Sequence, residues 1–166
     1  MNIKFEKVIT KEQIEILAQP ANVVWHDAFK DILTLEQIEY MIEKFQSFNA
    51  LSQAINQNNY EYFFIKFADN IAGYTGIKAE NERLFLSKLY ILKEYRGKQI
   101  ASKVFEFIEN LAKEQNLKSV WLTVNRNNNH AIEVYKHKGY IITTTKIADI
   151  GNGFVMDDYI FEKVLS

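Results

Sequence analysis

The sequence predicts an α/β domain in which helices flank a mixed, mostly antiparallel sheet of about seven strands. Segments with the alternating pattern of strands are interspersed with segments of helical period along the whole chain. Three consecutive strand segments in mid-chain predict an antiparallel meander, whereas the strand-helix-strand order after them favours parallel neighbours. With 166 residues, 48% of them hydrophobic, and a single proline, residues 1–166 are expected to form one domain.

The first third of the chain predicts one strand followed by helices. Residues 3–9 roughly alternate between apolar and polar side chains, and Thr10 with Gln13 forms a capping box that starts a helix. From there to the next strand, apolar residues recur at spacings of three and four, which is the pattern of helices with one buried face. Two or three helices fit this segment, with breaks expected near Pro20 and before Thr34.

The remaining elements are predicted from changes of period. Residues 60–68 are aromatic and β-branched, and Asp69-Asn70 can supply the positive φ values of a two-residue hairpin turn into a strand over 71–79. The elements that complete the chain are a strand over 84–92, a helix over 98–115, a strand over 120–124, a helix over 128–138 ended by Gly139, and strands over 140–147 and 154–164.

Charge, cysteine content and hydrophobic runs argue against several classes of function. Lysine and arginine number 20 against 21 aspartate and glutamate residues, so no global basic field attracts nucleic acid. The absence of cysteine excludes disulfides, thiolate metal sites and a cysteine nucleophile. The amino terminus lacks the apolar core of a signal peptide and no apolar run reaches membrane length, so a cytoplasmic protein without membrane contact is expected. His130 and His137 are two helical turns apart, which predicts no metal site.

The residues most informative about function lie where a predicted strand leads through a loop into the helix over 98–115. Backbone N–H groups of such a loop and of the first helical turn, together with the helix dipole, can hold a diphosphate. Arg96 and Lys98 add mobile positive charge. Taken alone, however, Arg96-Gly97-Lys98 is more typical of a basic, solvated surface loop.

A second segment changes this interpretation, because the two segments together resemble the GNAT N-acetyltransferase superfamily. The phosphate loop of that family has the form Arg/Gln-x-x-Gly-x-Gly/Ala, which is matched here by Arg96 and Ala101. Its later signature, Asn-x-x-Ala-x-x-x-Tyr-x-x-x-Gly-Phe/Tyr, is matched by Asn128, Ala131, Tyr135, Gly139 and Tyr140. The order of elements agrees over essentially the whole chain. Gln99 stands where the family usually has its central glycine, and we expect helical dihedrals there, with the side chain turned outward.

The resemblance implies acetyl-CoA as cosubstrate and no metal. It implies that Leu89, Tyr90 and Ile91 offer backbone groups to the pantetheine arm, and that Asn128 contacts the cofactor from the following helix. The diphosphate would be held at the loop and the helix start, by Arg96, Gly97, Lys98, Gln99, Ile100, Ala101 and Ser102.

Tyr135 is the predicted catalytic residue, since in the family this tyrosine is the usual general acid. It would protonate the thiolate that leaves when an amine attacks the thioester. Read without the resemblance, Tyr135 is typical of a core aromatic side chain. Relatives often carry a glutamate base at the position of Ser87, which cannot act as a base. A water chain or a carboxylate elsewhere would take over, with four unranked candidates: Glu80, Glu82, Asp149 and Asp157.

These features predict transfer of an acetyl group from acetyl-CoA to a primary amine by direct attack in a ternary complex. The acceptor is expected to be a small-molecule or protein amine.

Residues 25–29 and the tail over 149–159 are also similar to the bacterial spermine/spermidine acetyltransferase branch, which implies a polyamine. In that tail, the adjacent acids Asp157 and Asp158 predict a bulge or an anionic patch. The alternative is a non-catalytic acyl-CoA-binding or regulatory module on the same fold. The sequence does not determine the oligomeric state and is compatible with a homodimer.

Overall fold

The computed structural model of the chain describes residues 2–166, which divide into two compact units. The first unit runs to Lys78 and includes Ser87–Ile108, and the second consists of Ala79–Leu86 and Glu109–Ser166. The first part of the chain forms β1 (Ile3–Lys7), α1 (Lys11–Phe29), α2 (Leu35–Met41), a π-helical turn (Ile42–Gln46), α3 (Phe48–Gln57), β2 (Glu61–Phe67), β3 (Asn70–Glu80), β4 (Arg83–Ile91) and α4 (Ile100–Glu114). The second part forms β5 (Ser119–Asn125), α5 (Asn129–His137), β6 (Ile141–Gly151) and β7 (Phe154–Val164).

The predicted mixed α/β fold with seven strands is confirmed. The strands form one sheet in the order β1-β2-β3-β4-β5-β7-β6. The pairs β1–β2, β2–β3, β5–β7 and β6–β7 are antiparallel. Strands β4 and β5 are parallel, with Leu84 opposite Val120, because α4 lies between them in the chain and returns it to the same direction.

Helix α1 begins at the predicted capping box but does not break at Pro20. The Thr10 side chain accepts from the N–H of Gln13, and the Gln13 side chain accepts from the N–H of Thr10. The predicted break near Pro20 is wrong, because one helix of 19 residues passes through it. An internal proline costs about 3 kcal/mol, and apolar side chains buried on both sides of it offset this cost: Ile14, Leu17, Ala21, Val24, Trp25 and Phe29. The predicted break before Thr34 is confirmed, since Thr34 caps α2.

The hairpin turn between β2 and β3 lies one residue earlier than predicted. Phe67 pairs with Asn70, so the two turn residues are Ala68 and Asp69, with φ of 48° and 68°. A register shift between Ile65 and Lys66 indicates a β-bulge in this pair. The bulge inserts one extra residue into a strand and so moves the turn along the chain. Both central φ values are positive, as a tight hairpin requires.

Each unit has its own core. In the first unit, Leu17, Phe64 and Tyr74 are fully buried. At the edge of this core, half-buried Phe107 of α4 stacks on Phe5 at 4.0 Å between ring centroids. In the second, Tyr140 and Phe161 are fully buried. Within residues 2–166, no helix has the length and apolar character needed to cross a bilayer.

Candidate active site

The loop between β4 and α4 has a backbone suited to binding an anion. Gly97 and Gln99 have φ of 77° and 60°, whereas Lys98 between them does not have a positive φ, and α4 begins at Ile100. Such an alternation turns successive N–H groups into one concavity, which is a recurrent anion-binding arrangement. The first turn of α4, which carries Ile100, Ala101 and Ser102, adds the positive end of the helix dipole.

Gln99 departs from the expected helical dihedrals, so that part of the prediction is wrong. Its φ of 60° lies in the left-handed region, which glycine adopts without steric cost and other residues do not. Its side chain is exposed, in agreement with the expected outward orientation. The loop therefore keeps the glycine-type backbone although a glutamine occupies the position.

Arg96 anchors the loop, and its charge is not mobile as the sequence suggested. Its Nε donates to the carbonyl oxygen of Ile91 at 3.1 Å, and its Nη2 donates to Asp27 Oδ2 on α1 at 2.9 Å. Lys98 Nζ lies over the ring of Phe67, 5.9 Å from its centroid. The two side chains thus tie the loop to α1 and β2 inside the first unit.

The end of β4 is held closely by β3. A Cβ atom on Gly73 would lie 2.1 Å from the carbonyl oxygen of Tyr90, so only glycine allows this approach. The N–H of Leu92 donates to the carbonyl of Ala72 at 2.7 Å, and Thr75 Oγ1 donates to the carbonyl of Lys88 at 2.7 Å. Leu89, Tyr90 and Ile91 are consequently fixed in position and remain half-buried.

In the second unit, Asn128 begins the short helix that carries Tyr135. Its side-chain oxygen accepts from the N–H of Ala131 at 3.2 Å, so Asn128 is the N-cap of α5. This cap occupies the oxygen of the carboxamide and leaves its NH₂ as the group suited to a ligand. The helix ends as predicted at Gly139, which has φ of 91°, and Tyr140 donates its N–H back to the carbonyl of Tyr135.

Tyr135 combines the two interpretations that the sequence left open. Its ring packs at 6.0 Å from the rings of both Tyr140 and Phe161, as a core aromatic does. The residue as a whole is half-buried. Burial raises the pKa of the Tyr135 phenol to about 12. The hydroxyl therefore stays protonated at neutral pH, which a proton donor requires.

The proposed bases have partners of their own. Glu82 lies 3.2 Å from Lys118, Asp157 lies 3.1 Å from Arg126, and Asp149 accepts the N–H of Gly151 at 2.8 Å. Of the two alternatives predicted for Asp157-Asp158, a bulge or an anionic patch, the bulge is wrong: the register shifts fall between Ile142 and Thr144 and between Asp149 and Gly151. In the region between residues 2 and 166, no three potential metal ligands cluster.

A cavity of about 230 Å³ in the first unit was not predicted from the sequence. Below it lies a buried relay, in which Trp25 Nε1 donates to Tyr74 Oη at 3.0 Å and Tyr74 Oη donates to Gln46 Oε1 at 2.7 Å. The π-helical turn brings three neighbouring residues to the wall: Lys44, Phe45 and Gln46. Such turns are frequent at functional sites. No local pattern predicts the cavity, because its walls come from distant segments of the chain.

Comparison with known proteins identifies the family. The sequence profile of the acetyltransferase (GNAT) family matches residues 22–140. The chain belongs to this family and is an acetyl-CoA-dependent N-acetyltransferase. It is 27% identical over 161 residues to a spermidine N(1)-acetyltransferase of Thermoplasma acidophilum, which covers 95% of this chain and 97% of that relative.

Solved structures show the same fold. The PaiA N-acetyltransferase of Thermoplasma acidophilum in complex with coenzyme A superposes with a TM-score of 0.78 at 21% identity, over 99% of this chain and 100% of that chain. Mutant forms of the spermidine/spermine N-acetyltransferase SpeG from Vibrio cholerae superpose with a TM-score of 0.69 at 15% identity, over 98% and 93% of the two chains. The expectation of a GNAT-like fold is confirmed.

Proposed function

We propose that the protein transfers the acetyl group of acetyl-CoA directly to a primary amine in a ternary complex. The observation that carries this proposal is the positive φ of Gly97 and Gln99 in the loop before α4, a backbone pattern that in other proteins turns N–H groups into an anion-binding concavity. The sequence contains no cysteine, so it lacks the thiol that would carry an acyl group between two half-reactions.

The residues present fit the cosubstrate. The loop and the first turn of α4, from Arg96 to Ser102, offer backbone N–H donors and the positive end of the helix dipole to a diphosphate. Leu89 to Ile91 offer strand amides to the extended amide arm, as in strand addition. Asn128 offers its NH₂ group. Acetyl-CoA supplies the activated acyl group as a thioester, and these residues position it.

Tyr135 acts as general acid in this proposal. The amine nitrogen forms a bond to the thioester carbonyl carbon, the carbon–sulfur bond breaks, and Tyr135 gives its phenolic proton to the departing sulfur. An alkylamine with a pKa near 10.4 must first lose a proton, which costs about 4.6 kcal/mol at pH 7. Because Ser87 is not a base, water receives that proton. The nitrogen loses a second proton once the carbon–nitrogen bond has formed, and this proton returns through solvent to the Tyr135 phenolate, so the phenol is restored.

The acceptor is a primary amine, and the named relatives support a polyamine. One aligned relative is a spermidine N(1)-acetyltransferase, and a structural neighbour is a spermidine/spermine N-acetyltransferase. Small amino compounds and protein amino groups are the other acceptor classes. Family membership favours an enzyme over a non-catalytic acyl-CoA-binding module, although Ser87 and Gln99 depart from the family pattern.

The test is release of coenzyme A across a panel of amines, with Tyr135→Phe and the matched control Tyr159→Phe. We expect Tyr135→Phe to bind acetyl-CoA normally in calorimetry and to lower kcat about a hundred-fold or more, while the control keeps its activity. Unchanged turnover in Tyr135→Phe would remove its assignment as the acid. Absence of acetyl-CoA binding at millimolar concentration would overturn the proposed function itself.

A further inference from the structure

The cavity in the first unit lies beside the strand on which the acetyl-CoA arm is proposed to bind. Its β4 wall consists of Ser87 and Lys88, which directly precede Leu89–Ile91. Its volume is about 230 Å³. That size holds a small polar ligand or one end of a longer one.

The charge of the cavity is positive. Its lining residues, all within the described part of the chain, include two lysines and no aspartate or glutamate. The others are amide, hydroxyl, aromatic and alanine side chains: Phe45, Gln46, Ala50, Gln53, Ala54, Asn58, Tyr60, Tyr62 and Ser87. Burial raises the pKa of the Tyr62 phenol to about 12, so Tyr62 adds no negative charge at neutral pH. Two like charges in a confined site repel a polycation and attract an anion.

Lys88 is held in place. Its Nζ donates to Ser87 Oγ at 2.9 Å and to the Ser87 carbonyl at 3.2 Å, and it lies 5.8 Å from the centre of the Trp25 ring. Trp25 in turn belongs to the buried relay that fixes Gln46. The ammonium group at the β4 wall is therefore preorganised, which lowers the entropic cost of binding a partner.

We propose that this cavity receives a carboxylate of the acceptor, so that the acceptor is an amine that also carries a carboxylate, such as an amino acid, and not a polyamine. Lys88 and Lys44 supply the charge that recognises it. This inference rests on the proposed function, because only an acetyl group delivered along β4 makes the adjacent cavity an acceptor site. It differs from the polyamine acceptor that the named relatives support. The reason is that the cavity of this chain is lined by Lys44 and Lys88, whose positive charges would repel a polyamine.

The first experiment compares amines of equal length. Coenzyme A release is measured at saturating acetyl-CoA with pentylamine, with the five-carbon diamine, with the five-carbon amino acid that has the amine and the carboxylate at its two ends, and with spermidine. We expect the amino acid to have the lowest KM, by about ten-fold, the value of one hydrogen bond to a charged group. A diamine or spermidine with an equal or lower KM would overturn the inference and leave the transferase intact.

The second experiment removes the charges one at a time. Lys88→Met and Lys44→Met should each raise KM for the amino acid about ten-fold and leave KM for acetyl-CoA unchanged. Lys113→Met, an exposed lysine of α4 outside the cavity, is the control. Lys44 is itself exposed, so Lys44→Met keeps the test available if Lys88→Met does not fold. Unchanged KM values in both variants would refute the role of the lysines.

A binding measurement separates this inference from the proposed function. If no amine is acetylated, the proposed function fails, and calorimetry with pentanoate still probes the cavity. Pentanoate binding that is lost in Lys44→Met would support the anion site, and no binding to the wild type would overturn it.

Discussion

Replacing Gln99 by glycine should stabilise the protein. Gln99 has φ of 60° and an exposed side chain, so burial of that side chain does not offset the strain of the left-handed conformation. That conformation costs a non-glycine residue about 1–2 kcal/mol, whereas glycine costs about 0.5–1 kcal/mol through the greater entropy of the unfolded chain. The difference leaves a net gain of up to about 1.5 kcal/mol for Gln99→Gly.

Urea unfolding followed by circular dichroism measures this gain. For a domain of this size, a gain of 1 kcal/mol raises Tm by roughly 2–4 °C. Gln99→Ala is the matched control, because it removes the side chain beyond Cβ and keeps the Cβ that causes the strain. We expect Gln99→Ala to differ little from the wild type and Gln99→Gly to bind acetyl-CoA at least as tightly. Equal stabilisation by both variants, or a loss of stability in Gln99→Gly, would refute the strain at this position.

Two further predictions concern the strand that supports the site and the buried phenols. Gly73→Ala places a Cβ 2.1 Å from the Tyr90 carbonyl, so it should cost about 1–3 kcal/mol and weaken acetyl-CoA binding. Gly153→Ala, where nothing lies within 4 Å, should bind acetyl-CoA normally; similar losses of binding in both would contradict the close-approach explanation. The pKa values of Tyr62 and Tyr135 are raised to about 12, so above pH 10 the unfolded chain binds fewer protons. Stability should be retained up to about pH 10 and fall between pH 10 and 12, by about 1.4 kcal/mol per pH unit for each phenol; urea midpoints that stay constant over that range would contradict it.

Local patterns predicted those features that depend on neighbouring residues. Thr10 and Gln13 cap α1 as expected, because a capping box needs only the side chains and N–H groups of one turn. Gly139 ends α5 with a positive φ for the same reason. The two signature segments likewise located the loop before α4 and the helix of Tyr135.

Features that depend on distant partners were missed. The continuity of α1 through Pro20 follows from burial against the rest of the first unit, and the hairpin turn moved because the strand pairing contains a bulge. The left-handed backbone of Gln99 was missed as well. The intrinsic propensity of glutamine favours helical dihedrals, and the conformation of the loop as a whole imposes a positive φ instead.

The sequence alone determined the order of strands and helices and the family, and it predicted the segments proposed to bind acetyl-CoA, because these features are encoded in hydrophobic period and in short motifs. Only the tertiary structure decided three contacts. Arg96 is anchored to Asp27, the absence of a side chain at Gly73 allows the close approach of the Tyr90 backbone, and Lys44 and Lys88 line one cavity. These contacts join residues far apart in the chain, and their distances are set by packing, which no local pattern records.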